Sequence, residues 1–543
     1  MTHLAPADLT ILYGSQTGNA EYLAYQVSEK AQAAGLTTDL LTLNDALQTN
    51  LLTWNRLLVV TSTHDNGHMP DNSAAFWEWL SAQPGQPYQG LPYAVLTIGD
   101  SMYDDFCKAG HDLDQKLAEL GGERLRECED HDVDYDMTSG GWVLRFLESA
   151  AAAAPWSPAQ EVEVTADAAA NFAVAPELWF PAHVRQIQVL SGDGSAKRVL
   201  HLELALDSDF EYLPGDSVEV MPRNSPALVS EWQAAFPQVS TVVMADESIP
   251  FATALRERFE LRLPHIGLVN ALAELTVGSS AAQAAHELMT SGDRDAMDAW
   301  LWGRDVLDIV REFTLAGSSI EPILAAMRPL QPRSYSIAST PRTNPRALSL
   351  TVSAVRYERD GREHRGAGTA FLESCAESGD EFEVRRVPAH EFRLPDGDAP
   401  VIMIGPGVGV APFIGFLSEL EQRGGATHSW LFFGDQHRAT DFLYEERLHA
   451  WLDSGVLSQL SLAFSRDQIE KRYVQHEVLA QAAGITEWVD RGAYLYVCGD
   501  KNHMAHDVEA SLSSLLDSPE RSASGACSLD DLKTQGRYAK DVY

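Results

Sequence analysis

The chain has 543 residues, too many for a single hydrophobic core and enough for about three domains. Its 45% hydrophobic and 9% aromatic content is that of an ordinary globular protein, and no apolar run approaches the ~18 residues that would span a bilayer. A net charge of −38 excludes nucleic acid and anionic membrane as expected partners, and it suits either a basic protein partner or a generally acidic, salt-tolerant surface.

The N-terminal MTHLAPADLT lacks the basic and apolar blocks of a signal peptide, so the cytoplasm is the expected location. LTILYGSQTGN then reads as a strand ending in a turn, and AEYLAYQVSEKAQAAG as a helix closed by glycine. RLLVVTSTHDNG and YAVLTIGDSMYDD are further apolar runs that break into polar loops. Strands of this kind separated by helices predict an open parallel sheet with its ligand loops at the strand C-termini. An Ala/Pro/Glu-rich linker follows over 153–177. VRQIQVL, RVLHLELAL and DSVEVMP are β-rich around the turn FEYLPGD, helical pattern fills about 225–328, and strands return in RSYSIAS and LSLTVSAVRY. From APVIMIGPGVGVAPF the α/β alternation resumes through SWLFFGD, LSLAFSRD and YLYVCGD. The expected division is therefore 1–152, the linker, 178–395 with its insertion, and 396–543.

Four stretches carry chemistry. Ser15, Gln16, Thr17, Gly18, Asn19 and Ala20 join a strand to a helix, where unpaired backbone N–H groups suit a phosphate. With no lysine, the loop fits a monophosphate better than a triphosphate, and an ordinary capped turn is the plain alternative. Gly405, Gly407 and Gly409 follow a strand and let a dinucleotide backbone approach. SRDQIEKRYVQ supplies Ser465, Arg466, Lys471, Arg472, Tyr473, Val474 and Gln475, cations and hydroxyls that fit a 2′-phosphate if the stretch is not simply a solvated turn. The five cysteines form no C-x-x-C pair and the 17 histidines show no ligand spacing, so no metal site, disulfide framework or iron–sulfur cluster is expected.

SQTGNA, STHDNG, IGDSMYDDFC, RSYS, TVS, GAGT, GPGVGVAPF, YVCGD and RYAKDVY occur in the order found in the diflavin reductases, and from Leu9 to Tyr543 the chain resembles that family. The resemblance implies an α/β multidomain fold: a flavodoxin-like domain, then a ferredoxin–NADP reductase-like module with an antiparallel β-barrel, a helical insertion and an α/β NADP-binding domain. It implies FMN held by the first loop, by Ser62, Thr63, His64 and Asp65, by Ile98, Gly99, Asp100, Ser101, Met102, Tyr103, Asp104, Asp105, Phe106 and Cys107, and by Asp130 in an outer loop. Tyr103 would lie on the flavin ring.

FAD would be held by Arg333 on the pyrophosphate, Ser334, Tyr335 on the ring, Ser336 at N5, Thr351, Val352, Ser353, Tyr357, and a helix opened by Gly366, Ala367, Gly368 and Thr369. NADPH would meet the glycine loop, the 2′-phosphate stretch and Asp507, with Ser336, Cys498 and Asp541 about the hydride path and Tyr543 as a lid on the FAD ring. The implied activity is NADPH-dependent reduction of FAD, then of FMN, then of a haemoprotein. The implied partner is the sirohaem/iron–sulfur subunit that reduces sulfite, with a monooxygenase-type haem protein as the alternative. HDNGHMP departs from the family's usual ring loop. Few residues precede the first strand, so the large oligomer that the family's N-terminal extension implies is not carried over, and an oligomer stays possible.

Overall fold

The computed structural model describes residues 7–16, 18–47, 54–63, 67–99, 105–132, 135–156, 179–206, 210–244, 247–291, 293–315, 318–389, 392–424 and 428–542. They fall into two compact units, each discontinuous in sequence: 1–177 with 226–331, and 178–225 with 332–543.

The first unit is built on β1 (Leu9–Gly14), β2 (Thr38–Thr42), β3 (Leu57–Ser62), β4 (Pro92–Ile98), β5 (Glu123–Arg124) and β6 (Glu129–His131). Every pairing is parallel and the order is β2-β1-β3-β4-β5, with β6 also on β4. β3 and β4 are almost wholly buried, as expected where helices cover both faces of a parallel sheet. Those helices are α1 (Asn19–Ala33), α2 (Lys108–Glu119) and α3 (Tyr135–Ala152), together with Asp71–Ser81. The cores differ by face: Leu23, Val27 and Phe146 pack on one side, Phe76, Trp79 and Leu113 on the other. The sheet order reverses between β1 and β3, and a crevice for a ligand opens at such a reversal.

The same unit contains helices from Pro226–Ala235 to Glu321–Ala325, with a hairpin of β10 (Thr241–Met244) and β11 (Glu247–Pro250). They have a core of their own around Trp232, Phe236, Phe251 and Leu307.

In the second unit, β7 (Phe180–Val189), β8 (Val199–Leu206), β9 (Ser217–Val220), β12 (Arg333–Ser336), β13 (Ala347–Ser353) and β16 (Phe382–Val387) form an antiparallel sheet. Its order is β12-β9-β16-β7-β8-β13. The strands of the expected antiparallel β-barrel do not close into a continuous ladder. β12 is only four residues long, and its continuation meets β13 at one bridge, Ile337 to Leu350, supported by Ala338 N–H donating to Ser349 O at 2.7 Å. The edges approach without a continuous ladder. A hairpin of β14 (Arg356–Arg359) and β15 (Arg362–Arg365) and the helix α4 (Ala367–Ser378) follow.

The remaining sheet is parallel, in the order β19-β18-β17-β20-β21, from β17 (Val401–Ile404), β18 (Ser429–Asp435), β19 (Gln459–Phe464), β20 (Tyr494–Gly499) and β21 (Tyr538–Val542). α5 (Ala411–Arg423), α6 (Val474–Ala480) and α7 (His506–Leu516) are among its helices. Its order reverses between β17 and β20.

Candidate functional site

At the C-terminal edge of the first sheet, the loops after β1, β3 and β4 come together. Ser15 Oγ accepts from Ala20 N–H at 3.1 Å, so the hydroxyl caps the start of α1, and Ser15 N–H is fixed by Asn72 Oδ1 at 2.8 Å. Gly18 sits at φ 78°, a left-handed turn that spares glycine a steric penalty. Ser62 Oγ reaches Gly14 O at 3.4 Å, and Thr63 Oγ1 accepts from Ala109 N–H at 3.1 Å, capping α2. Gly99 N–H donates to His131 O at 2.9 Å, and a Cβ on Gly99 would press on Phe106 at 2.9 Å and on Cys107 N at 3.1 Å. Ile98 and Cys107 are buried, and burial pushes the Cys107 thiol up to about 12. Asp130, beside Thr97 in register, pairs with His111 at 2.7 Å, and Cys128 Sγ lies within 4.8 Å of the ligand atoms of both. Gln16, Asn19 and Asp105 complete the described part of this edge. Thr17, His64, Asp65, Asp100, Ser101, Met102, Tyr103 and Asp104 lie outside the described residues, as do Tyr543 and most of the linker.

In the second unit, β12 lies over the start of α4. Gly366 is the N-cap, and a Cβ on Gly368 would collide with the Tyr335 hydroxyl and approach Arg333 Cγ at 3.1 Å. Arg333, Tyr335 and the opening turn Gly366–Thr369 are therefore one cluster, with Ser334 on the exposed side of the strand. Burial pushes the Tyr335 phenol up to about 12 against the opposing pull of the Arg333 charge. Thr351 Oγ1 shares a hydrogen bond with the Tyr444 hydroxyl at 2.7 Å, and that hydroxyl also meets His201 Nδ1 at 2.9 Å. Val352 is core and Ser353 ends β13. The Tyr357 ring stacks on His364 at 5.0 Å within the β14–β15 hairpin.

The third cluster stands where the last sheet reverses. Gly405, Gly407 and Gly409 follow β17, and a Cβ on Gly409 would run into the Cys498 carbonyl oxygen, so β20 can pass only because the position is glycine. Beside Gly407 stands Asp435, whose side chain is buried and whose Oδ1 is held by Lys197 Nζ at 2.6 Å. Its Oδ2, also buried, has no hydrogen-bond partner among the described residues and would be 3.6 Å from a Cβ on Gly407.

Cys498 and Asp541 are register partners on β20 and β21. Ser336 Oγ donates to Asp541 Oδ2 at 2.6 Å, and Cys498 Sγ donates to the same oxygen at 3.7 Å. Complete burial, then the Asp541 charge, raise the Cys498 pKa well above its ordinary value, so the group is a neutral thiol. Further along this edge, Ser465 N–H donates to Asp435 O at 2.8 Å, and Gln475 Nε2 to Asp507 Oδ2 at 3.0 Å. Arg466, Lys471 and Tyr473 are exposed, Arg472 is paired with Glu477, and Val474 is core.

Residues 11–142 match the Flavodoxin family, 174–371 the FAD binding domain and 403–510 the Oxidoreductase NAD-binding domain. The chain is 37% identical to the sulfite reductase [NADPH] flavoprotein alpha-component of Bacillus subtilis, over 99% of this chain and 90% of that protein. It is 36% and 35% identical to the proteins of the same name from Vibrio cholerae and Zymomonas mobilis, over 99% of this chain and 88% and 89% of theirs. The chain belongs to the sulfite reductase flavoprotein alpha-component family.

A sulfite reductase flavoprotein of this family is a flavin-dependent oxidoreductase, and the three clusters fit its cofactors. The capped α1 start and its small residues fit the FMN phosphate. The start of α4, with Gly366 as its N-cap and Arg333 beside Gly368, fits the FAD pyrophosphate. The glycine turn after β17, with the unpartnered Asp435 oxygen facing it, fits a dinucleotide that brings hydroxyl donors. Asn72, Lys197, Asp435 and Tyr444 belong to none of the sequence motifs. Asp435 ends the apolar run SWLFFGD as a strand-end acid, a signal that was readable. The others lie far in sequence from the loops they serve.

Proposed function

We propose that the chain is an NADPH-dependent diflavin reductase that passes electrons through FAD and FMN to a sirohaem/iron–sulfur partner, which reduces sulfite to sulfide in sulfur assimilation. The convergence of Ser336 and Cys498 on Asp541 Oδ2, at the reversal of the dinucleotide sheet, carries this reading. When bound, the two flavins supply the conversion of a two-electron donor into single-electron deliveries. The protein's own part is positional. Arg333, Tyr335 and the start of α4 hold FAD, and the loops after β1, β3 and β4 hold FMN. Asp541 orients the Ser336 hydroxyl, and its carboxylate would favour positive charge on a nicotinamide bound beside it. Cys498, kept as a thiol, would border a bound nicotinamide without adding a second negative charge.

The domain reading is an FMN domain over 1–152, a linker to 177, an FAD domain to 395 with its helical insertion, and an NADP domain to 543. Exposed Arg466 and Lys471 serve the 2′-phosphate, which favours NADPH over NADH. Among the described residues no helix is long and apolar enough to cross a membrane, and the working location is the cytoplasm.

The experiment is steady-state turnover of the purified chain. We expect NADPH to reduce ferricyanide and cytochrome c, NADH to do so at least about tenfold less efficiently for want of the charged contacts, and sulfide to form only when a sirohaem protein is added. Sulfide production by the pure chain would overturn the division of labour, and equal use of NADH would overturn the roles of Arg466 and Lys471.

A further inference from the structure

The end of the helical insertion lies against the turn that opens α1, although 309 positions separate the two in sequence. Arg328 Nη1 donates to Asn19 Oδ1 at 2.9 Å, and Nη2 donates to the Tyr135 hydroxyl at 2.6 Å. The guanidinium carbon stands 5.4 Å from the Tyr22 ring centroid and 5.6 Å from that of Tyr135. Gln331 covers the same turn: its amide lies where any Cβ on Gly18 would have to be, and Nε2 reaches Glu21 Oε2 at 3.4 Å. His265, also from the insertion, stands edge-on to Tyr22 with centroids 5.6 Å apart.

These contacts answer a charge problem. SQTGNA contains no basic residue, the next acid is Glu21 in the first turn of α1, and the protein as a whole is strongly negative. A phosphate monoester carries close to two negative charges at neutral pH. Backbone N–H groups and a helix dipole contribute only about half an elementary charge. A guanidinium hydrogen-bonded to the loop's own asparagine and framed by two aromatic rings is immobilised before ligand arrives, so little rotamer entropy remains to be lost.

We infer that Arg328 is a specificity-determining residue that makes the first unit select FMN over riboflavin, and that FMN binding is coupled to docking of the Arg328–Gln331 segment on α1. The inference rests on reading Ser15–Ala20 as the phosphate loop.

The test uses the full-length chain stripped of flavin and titrated with FMN and with riboflavin by fluorescence quenching. Arg328→Gln is expected to weaken FMN about ten- to a hundredfold, the worth of one or more charge-assisted hydrogen bonds, and to leave riboflavin unchanged. Arg328→Lys should recover part of the loss, and the salt dependence of FMN binding should flatten in Arg328→Gln. Tyr135→Phe, which removes the hydroxyl that accepts from Nη2 while keeping the ring, should act in the same direction more weakly, and it decides the matter if Arg328→Gln fails to fold. Equal losses for both flavins would mean a merely structural contact and overturn the inference. Ser15→Ala separates the two readings. A loss of FMN preference there, with none in the Arg328 variants, sinks the role of Arg328 alone. No change in any variant sinks the phosphate loop itself.

Discussion

Asp541 is asked to do two things at once: it accepts from Ser336 and from Cys498 through one oxygen, and its charge helps to keep the buried thiol protonated. Asn at this position keeps the size and loses the charge, which separates positioning from electrostatics. We predict that Asp541→Asn slows FAD bleaching by NADPH in stopped flow by about a hundredfold or more, the usual effect of losing a preorganised charge at the reacting atoms. Dithionite reduction of the same variant should be unchanged. A rate within a factor of about two of the wild type would remove Asp541 from the hydride step. The charge test also bears on Cys498: in the Asn variant the thiol loses the Asp541 charge that helps to raise its pKa, while desolvation, the largest cause, remains.

At the scale of elements, β21 is anchored by charge as well as by its ladder to β20. Lys540 Nζ meets Glu509 Oε2 of α7 at 2.7 Å, and Lys533 Nζ meets Oε1 at 2.6 Å. Burial raises the Glu509 pKa, but the hydrogen bonds from Lys533 and Lys540 outweigh it and hold the carboxyl below the ordinary glutamate range. A depressed folded-state pKa stabilises above the unfolded value of about 4.3, and the contribution is lost as pH falls through the folded value. Glu509→Gln should therefore cost about 1.5–3 kcal/mol at pH 7, with the difference from wild type shrinking towards pH 3 in denaturant titrations. A pH-independent difference would assign the loss to packing.

The parallel sheets were legible because their strands are apolar runs cut off by Gly/Ser/Asp turns, as LTILYG and YLYVCGD are. The open edge of the antiparallel sheet was not, because closure depends on how far a four-residue strand continues past Ser336, and nothing in RSYSIAS encodes that. The meeting of Ser336 with Asp541 spans 205 positions, so only a family likeness could suggest it. Arg328 lies in a Met-Arg-Pro-Leu stretch with no motif and a partner 309 positions away, beyond any local reading.

Over the whole molecule, 78 acidic residues face 40 basic ones. Many of the cations are already committed to ion pairs, among them Arg393 to Asp216, Arg342 to Glu419 and Arg521 to Asp490. The surplus negative charge therefore repels itself at the surface, and added salt should relieve it, since the screening length falls from about 10 Å at 0.1 M to about 3 Å at 1 M. We predict that Tm rises by several degrees between about 0.05 M and 0.5 M sodium chloride. A falling Tm would show that exposed ion pairs, which salt weakens, contribute more than the excess charge does.

The strands β9 and β12 are neighbours in one sheet, Val220 opposite Arg333, yet the chain between them belongs to the other compact unit. The polypeptide thus changes units three times, near residues 177, 225 and 331. A single backbone break at any of these points leaves the halves still tethered through the remaining ones, and no stop codon can release the first unit whole. A cut near residue 177 would part residues 1–177 from 226–331, which share one compact unit, so Arg328 and His265 would lose the covalent connection to the turn and ring they touch.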